Sequence, residues 1–522
     1  MTKHFLGSAA VLALMASGAG ADTNEAYLDQ TGTGNSALIT QSGELNDAGA
    51  DSAGLAIDQN GTNNTLEFTQ SGDLNSIADG PNGTGFNQVG ANNSATITQT
   101  SKGNNVNQIS QSAGATAGGA TNTLTITQGA SDDDPFPVSN NRAIQGNLVT
   151  KVDQTHGGGA ANEITIDQER RGRFETNARD DYLVIGNDGY TGGAYQVDTY
   201  LNGGVIQNGS GNTATLTQRG FKNEIRLVEQ LGDANTATVS QLSGRDNIVE
   251  RVFQDSRGGA SGNTATMVQD GRGNGNGAFS AGGPAANVSL VTNDAIDQIG
   301  SGNIVDAMIT GNSNETGFYQ EGNGNSVGTI TVTGDFNEVA VSQVGDANFA
   351  NISDIAGSSN QLGVSQTGTN TADVTLSATS DFNLLSISQD NTGFEADRNL
   401  ADFDVTGSFN EATLTQSGGG GNSFDLEIIG DNNNSSSLFG TAASLGLTAG
   451  VFDQIGSGNT ADIDVLNSSS NAFATLQNGA SNTIVASVSG GNANSFGVVQ
   501  VGASNMAALT QIGGGNTAGI SQ

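Results

Sequence analysis

Short stretches of alternating polar and apolar residues recur along this chain. The recurring unit is Asn, five residues, then Gln. In sixteen units the second and fourth residues after Asn are both apolar, while the residues between them are mostly Thr, Ser, Glu or Asp. Alternation with a period of two is typical of a β-strand with one buried face, and Thr-rich strings favour strands further. Each unit therefore predicts a short strand whose Asn, two apolar residues and Gln face inward.

Sixteen pairs of Asn and Gln are predicted to face inward. Two further units begin at Asn105 and Asn471, where Asn107 and Thr475 replace one of the apolar residues. The sixteen pairs are Asn24 and Gln30, Asn35 and Gln41, Asn64 and Gln70, Asn93 and Gln99, Asn122 and Gln128, Asn162 and Gln168, Asn212 and Gln218, Asn235 and Gln241, Asn263 and Gln269, Asn337 and Gln343, Asn360 and Gln366, Asn383 and Gln389, Asn410 and Gln416, Asn494 and Gln500, Asn505 and Gln511, and Asn516 and Gln522.

The residues after Gln are equally regular. The pattern Gln-x-Gly-x-x-Asn recurs along the chain, and its Gly, Asn and Asp residues tolerate positive φ. Eleven residues therefore predict one strand and one tight arc. The arc glycines are Gly32, Gly43, Gly61, Gly72, Gly90, Gly209, Gly220, Gly232, Gly300, Gly322, Gly345, Gly456, Gly479, Gly502 and Gly513.

Two strand–arc halves make a coil of ~22 residues, and stacked coils about 4.8 Å apart would place Asn over Asn and Gln over Gln. Buried amides are costly singly, but in a ladder each side-chain carbonyl accepts from the N–H of the next layer. Stacked carboxylates would instead repel. The predicted fold is all-β: a single-chain β-solenoid, a cross-β stack of strand–arc–strand coils with loop insertions.

The string QVGASNMAALTQ, which ends at Gln511, resembles the curlin repeat of bacterial curli, Ser-x5-Gln-x-Gly-x-x-Asn-x-Ala-x3-Gln. The first-half Ser is usually Asn here, so the rhythm is closer to eleven residues than to twenty-two. The second half matches at Asn35 and Ala37, Asn93 and Ala95, Asn212 and Ala214, Asn235 and Ala237, Asn263 and Ala265, Asn410 and Ala412, Asn505 and Ala507, and Asn516 and Ala518.

This resemblance implies a structural subunit of extracellular curli-like amyloid fibres, which polymerises by edge-strand stacking and serves cell adhesion and the biofilm matrix. It also implies self-association, a nucleating subunit and an outer-membrane secretion pore as partners. The Gly-Asp pairs Gly72-Asp73, Gly232-Asp233 and Gly345-Asp346 are interpreted as gatekeepers that slow premature aggregation. The last Asn-x5-Gln unit, which ends at Gln522, is interpreted as an open edge for the next subunit.

Residues 1–21 read as a signal peptide. Lys3 and His4 precede an apolar run from Phe5 to Met15, which is too short to span a membrane, and Ala19-Gly20-Ala21 forms a cleavage site. The chain lacks Cys, so no disulfide framework holds an exported product. The formal net charge of −36 makes nucleic-acid binding improbable. We therefore expect a secreted, extracellular protein without a membrane span.

Residues 22–522 are predicted to form the repeat region, with insertions near 112–121, 129–146, 169–206, 270–296, 391–407 and 431–450 interpreted as surface loops. The 169–206 stretch is rich in Arg and Tyr, and either a docking loop or a decoration without a partner would explain it. Acidic residues at 132–134 are interpreted as a solvated turn rather than a calcium site. The residues concerned are Arg170, Arg171, Arg173, Arg179, Tyr182, Tyr190, Tyr195, Tyr200, Asp132, Asp133 and Asp134.

No catalytic constellation is visible, because His4 lies in the signal peptide and His156 stands alone among glycines. The chain is interpreted as a non-enzyme without cofactor or metal. The alternative function is a monomeric secreted β-solenoid that binds a surface as an adhesin, or binds ice. Ice binding would use outward Thr rows, although Glu163, Asp167, Ser240 and Ser495 interrupt them. The Thr rows are Thr213, Thr215 and Thr217, and Thr123, Thr125 and Thr127.

Overall fold

The computed structural model describes residues 11–16, 24–49, 57–78, 85–101, 103–113, 122–130, 147–170, 184–185, 190–191, 194–195, 203–220, 222–376, 380–392, 397–466 and 468–522. The chain divides into two units, Met1–Arg272 and Gly273–Gln522. Each unit contains two parallel sheets. In the second unit successive strands alternate between the two sheets, and in the first unit the alternation is broken where two short strands of the same sheet follow each other. The prediction of an all-β solenoid is therefore confirmed.

The first unit contains sheets 1A and 1B, and alternating inward residues such as Leu66 and Phe68 form its core. A short antiparallel pair, β16 (Tyr190–Thr191) and β17 (Ala194–Tyr195), lies outside both sheets. Sheet 1A comprises β1 (Val11–Ala16), β4 (Ser36–Ser42), β7 (Thr65–Ser71), β10 (Ser94–Gln99), β12 (Asn122–Ala130), β14 (Asn162–Arg170), β19 (Thr213–Gly220), β21 (Thr236–Gln241) and β23 (Thr264–Arg272). Sheet 1B comprises β2 (Glu25–Ala26), β3 (Leu28–Thr33), β5 (Asp47–Ala48), β6 (Ile57–Thr62), β8 (Ser76–Ile77), β9 (Phe86–Ala91), β11 (Asn105–Ala113), β13 (Leu148–His156), β15 (Val184–Ile185), β18 (Gly204–Gly209), β20 (Glu224–Leu231) and β22 (Ile248–Asp255).

The second unit contains sheets 2A and 2B. Sheet 2A comprises β25 (Ile304–Asn312), β27 (Ser326–Thr333), β29 (Phe349–Ala356), β31 (Asn370–Leu376), β33 (Asn399–Thr406), β35 (Ser423–Ile429), β37 (Thr460–Leu466), β39 (Thr483–Ser489) and β41 (Met506–Ile512). Sheet 2B comprises β24 (Ala295–Ile299), β26 (Glu315–Glu321), β28 (Glu338–Val344), β30 (Gln361–Thr367), β32 (Leu384–Asp390), β34 (Glu411–Ser417), β36 (Val451–Ile455), β38 (Ala472–Ala480), β40 (Ser495–Ala503) and β42 (Thr517–Ser521).

A run of five buried Phe side chains fills the core of the second unit. Neighbouring rings in the run lie 5.1 to 5.7 Å apart between centroids. Burying each ring contributes about 1.5–3 kcal/mol, so this run is a main apolar contribution to a thin core. The rings are those of Phe403, Phe424, Phe452, Phe473 and Phe496.

Two insertions of the second unit pack on the outer face of sheet 2B. Residues 273–294, with the 3-10 helix Ala285–Asn287, lie so close to β30 that a Cβ on Gly363 would be 2.3 Å from Pro284 O. Residues 434–450, with α1 (Gly440–Ala443), lie over β40 and β42, where a Cβ on Gly519 would be 2.6 Å from Thr441 O. In sheet 2B an outward glycine in mid-strand therefore marks the place where an insertion crosses the sheet. Residues 391–407, expected to form an interruption, contain β33.

Candidate functional site

Three continuous columns of glutamine run through the interior. In each column the Nε2 of one Gln donates to the Oε1 of the Gln in the next layer, at 2.7 to 3.1 Å for every pair except Gln30 and Gln59, which are closer. The column of sheet 1A is Gln41, Gln70, Gln99, Gln128, Gln168, Gln218, Gln241 and Gln269. That of sheet 1B is Gln30, Gln59, Gln88, Gln111, Gln154, Gln207, Gln230 and Gln254. That of sheet 2B is Gln298, Gln320, Gln343, Gln366, Gln389, Gln416, Gln454, Gln477, Gln500 and Gln522.

A glutamine within a ladder joins both the next layer and the opposite sheet, as Gln343 shows. Gln343 is fully buried, and its Oε1 accepts from Gln320 at 2.8 Å. Its Nε2 donates to Gln366 Oε1 at 2.9 Å and to the backbone oxygen of Ser326 in sheet 2A at 3.1 Å. Both polar atoms of the amide are hydrogen-bonded only because a layer lies on each side of it. The neighbouring layers thus supply the hydrogen bonds that water would supply to an exposed glutamine.

Asparagine columns stand at the entrance to each strand and have the opposite polarity. The backbone N and the Nδ2 of Asn337 both donate to Asn314 Oδ1 in the preceding layer, at 2.9 and 3.2 Å. Asn337 Nδ2 also donates to the backbone oxygen of Gly357 at 2.9 Å. Each ladder glutamine therefore donates to the glutamine of the following layer, whereas an asparagine such as Asn337 donates to the asparagine of the preceding layer and to an arc carbonyl of the following one. A layer at either end of a stack presents both donors and acceptors.

All fifteen predicted arc glycines have positive φ, between 85° and 144°. The close approach of the next layer explains their identity. A Cβ on Gly322 would lie 2.1 Å from the backbone oxygen of Gly345, and that same oxygen accepts from Asn325 Nδ2 at 2.7 Å. The absent side chain thus lets the arcs of adjacent layers meet at the spacing that the asparagine column needs.

Gln511 is predicted to face inward like the other glutamines, but it lies beside a valine rather than beside another glutamine. Its register partner in β39 is Val488, and the same position in every earlier strand of sheet 2A is aliphatic and buried. Gln511 is 5% exposed, its Nε2 donates to Ser495 O at 3.3 Å, and its buried Oε1 has no hydrogen-bond partner. The aliphatic column is Ile309, Val332, Ile355, Leu376, Val405, Ile428, Val465 and Val488.

The predicted asparagines all lie in columns, with Asn24, Asn505 and Asn516 half-buried and the others buried. The sequence reading missed the strands of sheet 1B in which six residues separate Asn from Gln. There Asn104, rather than Asn105, belongs to the column, donating to Asn75 Oδ1 at 3.1 Å. The same spacing recurs from Asn147, Asn223 and Asn247, so this extra residue is itself a repeated and readable signal.

The aspartates of the Gly-Asp pairs have a structural contact that the gatekeeper interpretation did not include. Asp73 Oδ1 accepts from the backbone N of Glu44 at 3.0 Å, and Asp346 Oδ1 accepts from that of Asn323 at 2.7 Å. Asp233 Oδ1 accepts from the backbone N and the hydroxyl of Ser210 at 2.9 and 2.8 Å. These carboxylates tie each arc to the arc of the preceding layer.

Charges on the outer faces differ between the units. In the first unit Arg219 pairs with Asp167 of the neighbouring strand at 3.3 Å. In the second unit two rows of carboxylates run along sheet 2A in strand register, and residues 273–522 contain a single basic residue, Arg398. Burial raises the pKa of Asp402, Asp425, Glu427 and Asp464, and neighbouring carboxylates raise it further. The rows are Asp373, Asp402, Asp425 and Asp462, and Asp404, Glu427 and Asp464.

Other residues singled out from the sequence do not form a site in the described part of the chain. His156 is buried at the end of β13. Residues 132–134 and most of the Arg/Tyr-rich stretch lie outside the described residues. Within the described ranges, no three His, Cys, Asp or Glu side chains are grouped as metal ligands would be. No described helix has the length and apolar character needed to cross a membrane.

Parallel coils joined by buried amide ladders point to a structural repeat protein. Residues 21–43 match the family model of the Curlin associated repeat, which supports the resemblance to curlin repeats and a curli-type structural protein. No curated protein matches the chain.

Proposed function

We propose that this protein is a structural subunit of extracellular curli-like amyloid fibres, which grow by edge-strand stacking and serve adhesion and the biofilm matrix. By the family resemblance, its partners are further copies of itself, a nucleating subunit and an outer-membrane secretion pore. Residues 1–21 would be removed on export, leaving Asp22 as the first residue. Residues 22–522 would then form the polymerising repeat region. N-terminal sequencing of the secreted chain tests the cleavage site.

The observation that carries the proposal is the amide of Gln511. Within its own layer a valine would suit the aliphatic column better, because Gln511 Oε1 is buried without a partner, which costs about 1–3 kcal/mol. Glutamine becomes favourable if the layer stacked on β41 accepts the second proton of Gln511 Nε2, since each ladder glutamine donates to the one in the following layer. Gln30 and Gln41, the first glutamines of the two columns in the first unit, would supply the accepting Oε1 in a second copy.

Gln522 supports the same stacking. It is exposed, and its Nε2 donates to Met506 O at 3.0 Å while its Oε1 accepts from Gln500. An amide nitrogen carries two protons, so one proton of Gln522 is available to the next layer. In the interior, the equivalent proton of Gln500 is the one that bonds the following glutamine. The ends of the ladders are therefore complementary in hydrogen bonding.

Fibre elongation by purified residues 22–522 tests the proposal. Seeds of preformed fibre are mixed with fresh protein, and thioflavin-T signal and electron microscopy follow growth. We expect Gln511→Val to slow elongation about tenfold while leaving the folded chain at least as stable, since the variant removes the unpartnered Oε1. Thr510→Val, an exposed neighbour in the same strand, is the control and should grow as wild type.

Two results would count against the proposal. If the wild-type chain stays monomeric for days without fibres, the fibre function is wrong. If fibres form but Gln511→Val and Thr510→Val elongate alike, growth does not use the β41 edge.

A second candidate function, ice binding by a monomer, is favoured by one feature of sheet 1A. The central outward position is Thr in six consecutive strands, although Glu163 and Asp167 interrupt the flanking rows. Thermal hysteresis of the monomeric protein tests this candidate. The six residues are Thr96, Thr125, Thr165, Thr215, Thr238 and Thr266.

A further inference from the structure

Three arcs of the second unit carry phenylalanine at a position where the backbone is left-handed. The local sequences are GDFN at 334–337, SDFN at 380–383 and GSFN at 407–410. The φ angles of Phe336, Phe382 and Phe409 are 59°, 57° and 58°. A bulky residue at positive φ is an outlier and costs about 1–2 kcal/mol relative to glycine. Backbone strain of this kind is retained where the side chain has a use.

These phenylalanines form one exposed row, which we name the Phe ridge. Backbone hydrogen bonds order its arcs: Ser359 N donates to Asp335 O, Phe382 N to Ser358 O, and Phe409 N to Asp381 O. The Phe336, Phe382 and Phe409 side chains are 61%, 50% and 47% exposed. Phe382 and Phe409 occupy adjacent layers and stack at 4.9 Å with an interplanar angle of 6°.

Stacking between Phe382 and Phe409 offsets part of their strain, because an aromatic pair contributes about 0.5–1.5 kcal/mol. Ring stacking does not offset the backbone strain at Phe336, because its neighbours along the row are Ser313 and Ser359. The arcs on the other side of the second unit hold small residues at the equivalent left-handed position, namely Gly302, Gly324, Ala347, Gly458, Ser481 and Ser504. Large apolar residues are thus confined to one side of the coils.

Acidic residues lie directly beside the ridge. Asp335 precedes Phe336 and Asp381 precedes Phe382, and each carboxylate uses Oδ1 to accept from a backbone N, of Asn312 at 2.8 Å and of Ser358 at 2.6 Å. Residues 273–522 contain 23 Asp and Glu against one Arg. A surface with apolar rings and uncompensated negative charge is complementary to a partner with both apolar surface and positive charge.

We propose that the Phe ridge is a docking surface for an extended, arginine-rich peptide segment of another protein. Arginine fits better than lysine, because its planar guanidinium stacks on aromatic rings and bonds carboxylates in the same plane. From Phe336 to Phe409 the ridge spans three layer steps, about 14 Å, which an extended peptide of roughly four residues covers. A second copy of the acidic unit would be repelled from the ridge by like charge.

Binding of a fluorescein-labelled hexa-arginine peptide to the full mature chain, followed by fluorescence anisotropy, tests this inference. We expect Phe336→Asn combined with Phe382→Asn and Phe409→Asn to weaken binding at least tenfold. Asn432 occupies the same position in the same row with φ 58°, so the substitutions suit the backbone and the melting temperature should not fall. Phe349→Thr removes an exposed Phe from the outer face of β29 and should leave binding unchanged.

A second pair of variants separates ridge charge from general charge. Asp335→Asn with Asp381→Asn keeps the Oδ1 acceptor, as Asn492 does in the same row for Ser469 N, and should weaken binding and reduce its salt dependence. Asp453→Asn, a carboxylate of β36, should have a smaller effect than either ridge substitution.

Three outcomes would overturn the inference. Equal loss of binding in the ridge variants and in Phe349→Thr and Asp453→Asn would assign the affinity to net charge alone. A lower melting temperature of the triple Phe variant with unchanged peptide affinity would assign the ridge a structural role. Affinity for cellohexaose, with none for hexa-arginine, would assign it to a neutral polysaccharide.

Discussion

Replacing Gln389 by Glu, in the middle of the sheet 2B ladder, tests whether the amide columns hold the coils together. Gln389 is 1% exposed, accepts from Gln366 at 2.9 Å, and donates to Gln416 Oε1 at 2.8 Å and to Thr371 O at 3.0 Å. An ionised glutamate has no proton to donate, so Gln416 Oε1 and Thr371 O both lose their donor. Each buried acceptor left unpaired costs about 1–3 kcal/mol, so the variant should lose about 3–5 kcal/mol of stability.

Hydrogen exchange measured by mass spectrometry gives the size of this loss locally. A loss of about 3 kcal/mol corresponds to roughly a hundredfold faster exchange in peptides covering β30, β32 and β34. Ser388→Glu is the matched control, because Ser388 is the exposed neighbour in the same strand and should change exchange little. Lowering the pH should partly restore protection in Gln389→Glu, since a protonated glutamate regains one donor. Equal exchange rates in Gln389→Glu and Ser388→Glu would show that the hydrogen bonds of the ladder contribute no stability.

Three further perturbations have signs fixed by the structure. The carboxyl rows of sheet 2A have raised pKa values in the folded chain, so folding takes up protons. Protection of β33 and β35 from hydrogen exchange should therefore rise as pH falls through the raised pKa values and level off below about pH 4. The double variant Asp402→Asn with Asp425→Asn should lose this pH dependence. A monotonic loss of protection on acidification would contradict the assignment. Gly322→Ala should lower the free energy of unfolding in urea by more than about 3 kcal/mol, because its Cβ would lie 2.1 Å from Gly345 O. Gly324→Ala, whose Cβ would have no atom within 4 Å, should lower it by about 1 kcal/mol. Similar losses in the two variants would be inconsistent with close packing of the arcs. Gly363→Leu should displace residues 273–294 and expose them to proteolysis, whereas Ser386→Leu in the next strand should not. Resistance of residues 273–294 to proteolysis in both variants would mean that their packing does not depend on the outward glycine.

The repeat could be read from the sequence because each inward position is fixed by one simple requirement. Asn360 and Gln366, for example, need partners of the same kind above and below, so the identity of the residue repeats with the layer. The aliphatic column of sheet 2A could not be recognised as part of the same repeat. Valines such as Val465 and Val488 fill the core position, so these strands lack the glutamine that marks the repeat in the sequence.

Contacts made by backbone atoms were also hidden from sequence reasoning. Asp346 resembles any solubilising surface acid until its Oδ1 is seen to accept from Asn323 N. Gly497 resembles a weak point in a strand until α1 and its flanking residues are seen to pack on it, with Leu445 Cδ1 2.9 Å from the position of a Cβ. The Asp346 contact depends on which arc stacks beside it and the Gly497 contact on which segment crosses the sheet, and local sequence specifies neither.

The separation between paired strands has a consequence for how this chain reaches its structure. Successive glutamines in a ladder are 22 to 53 residues apart in the chain, and all strand pairs of the four sheets are parallel, so none of these sheets contains a hairpin as a local starting point. Every pairing requires closure of a long loop before any bond forms, which slows folding and leaves nascent chain open for longer. Once one coil exists it serves as a template for the next coil and, on the proposed fibre function, for the first layer of another copy. Folding and assembly would then be one zipper-like reaction, whose rate is set by how often a first coil forms.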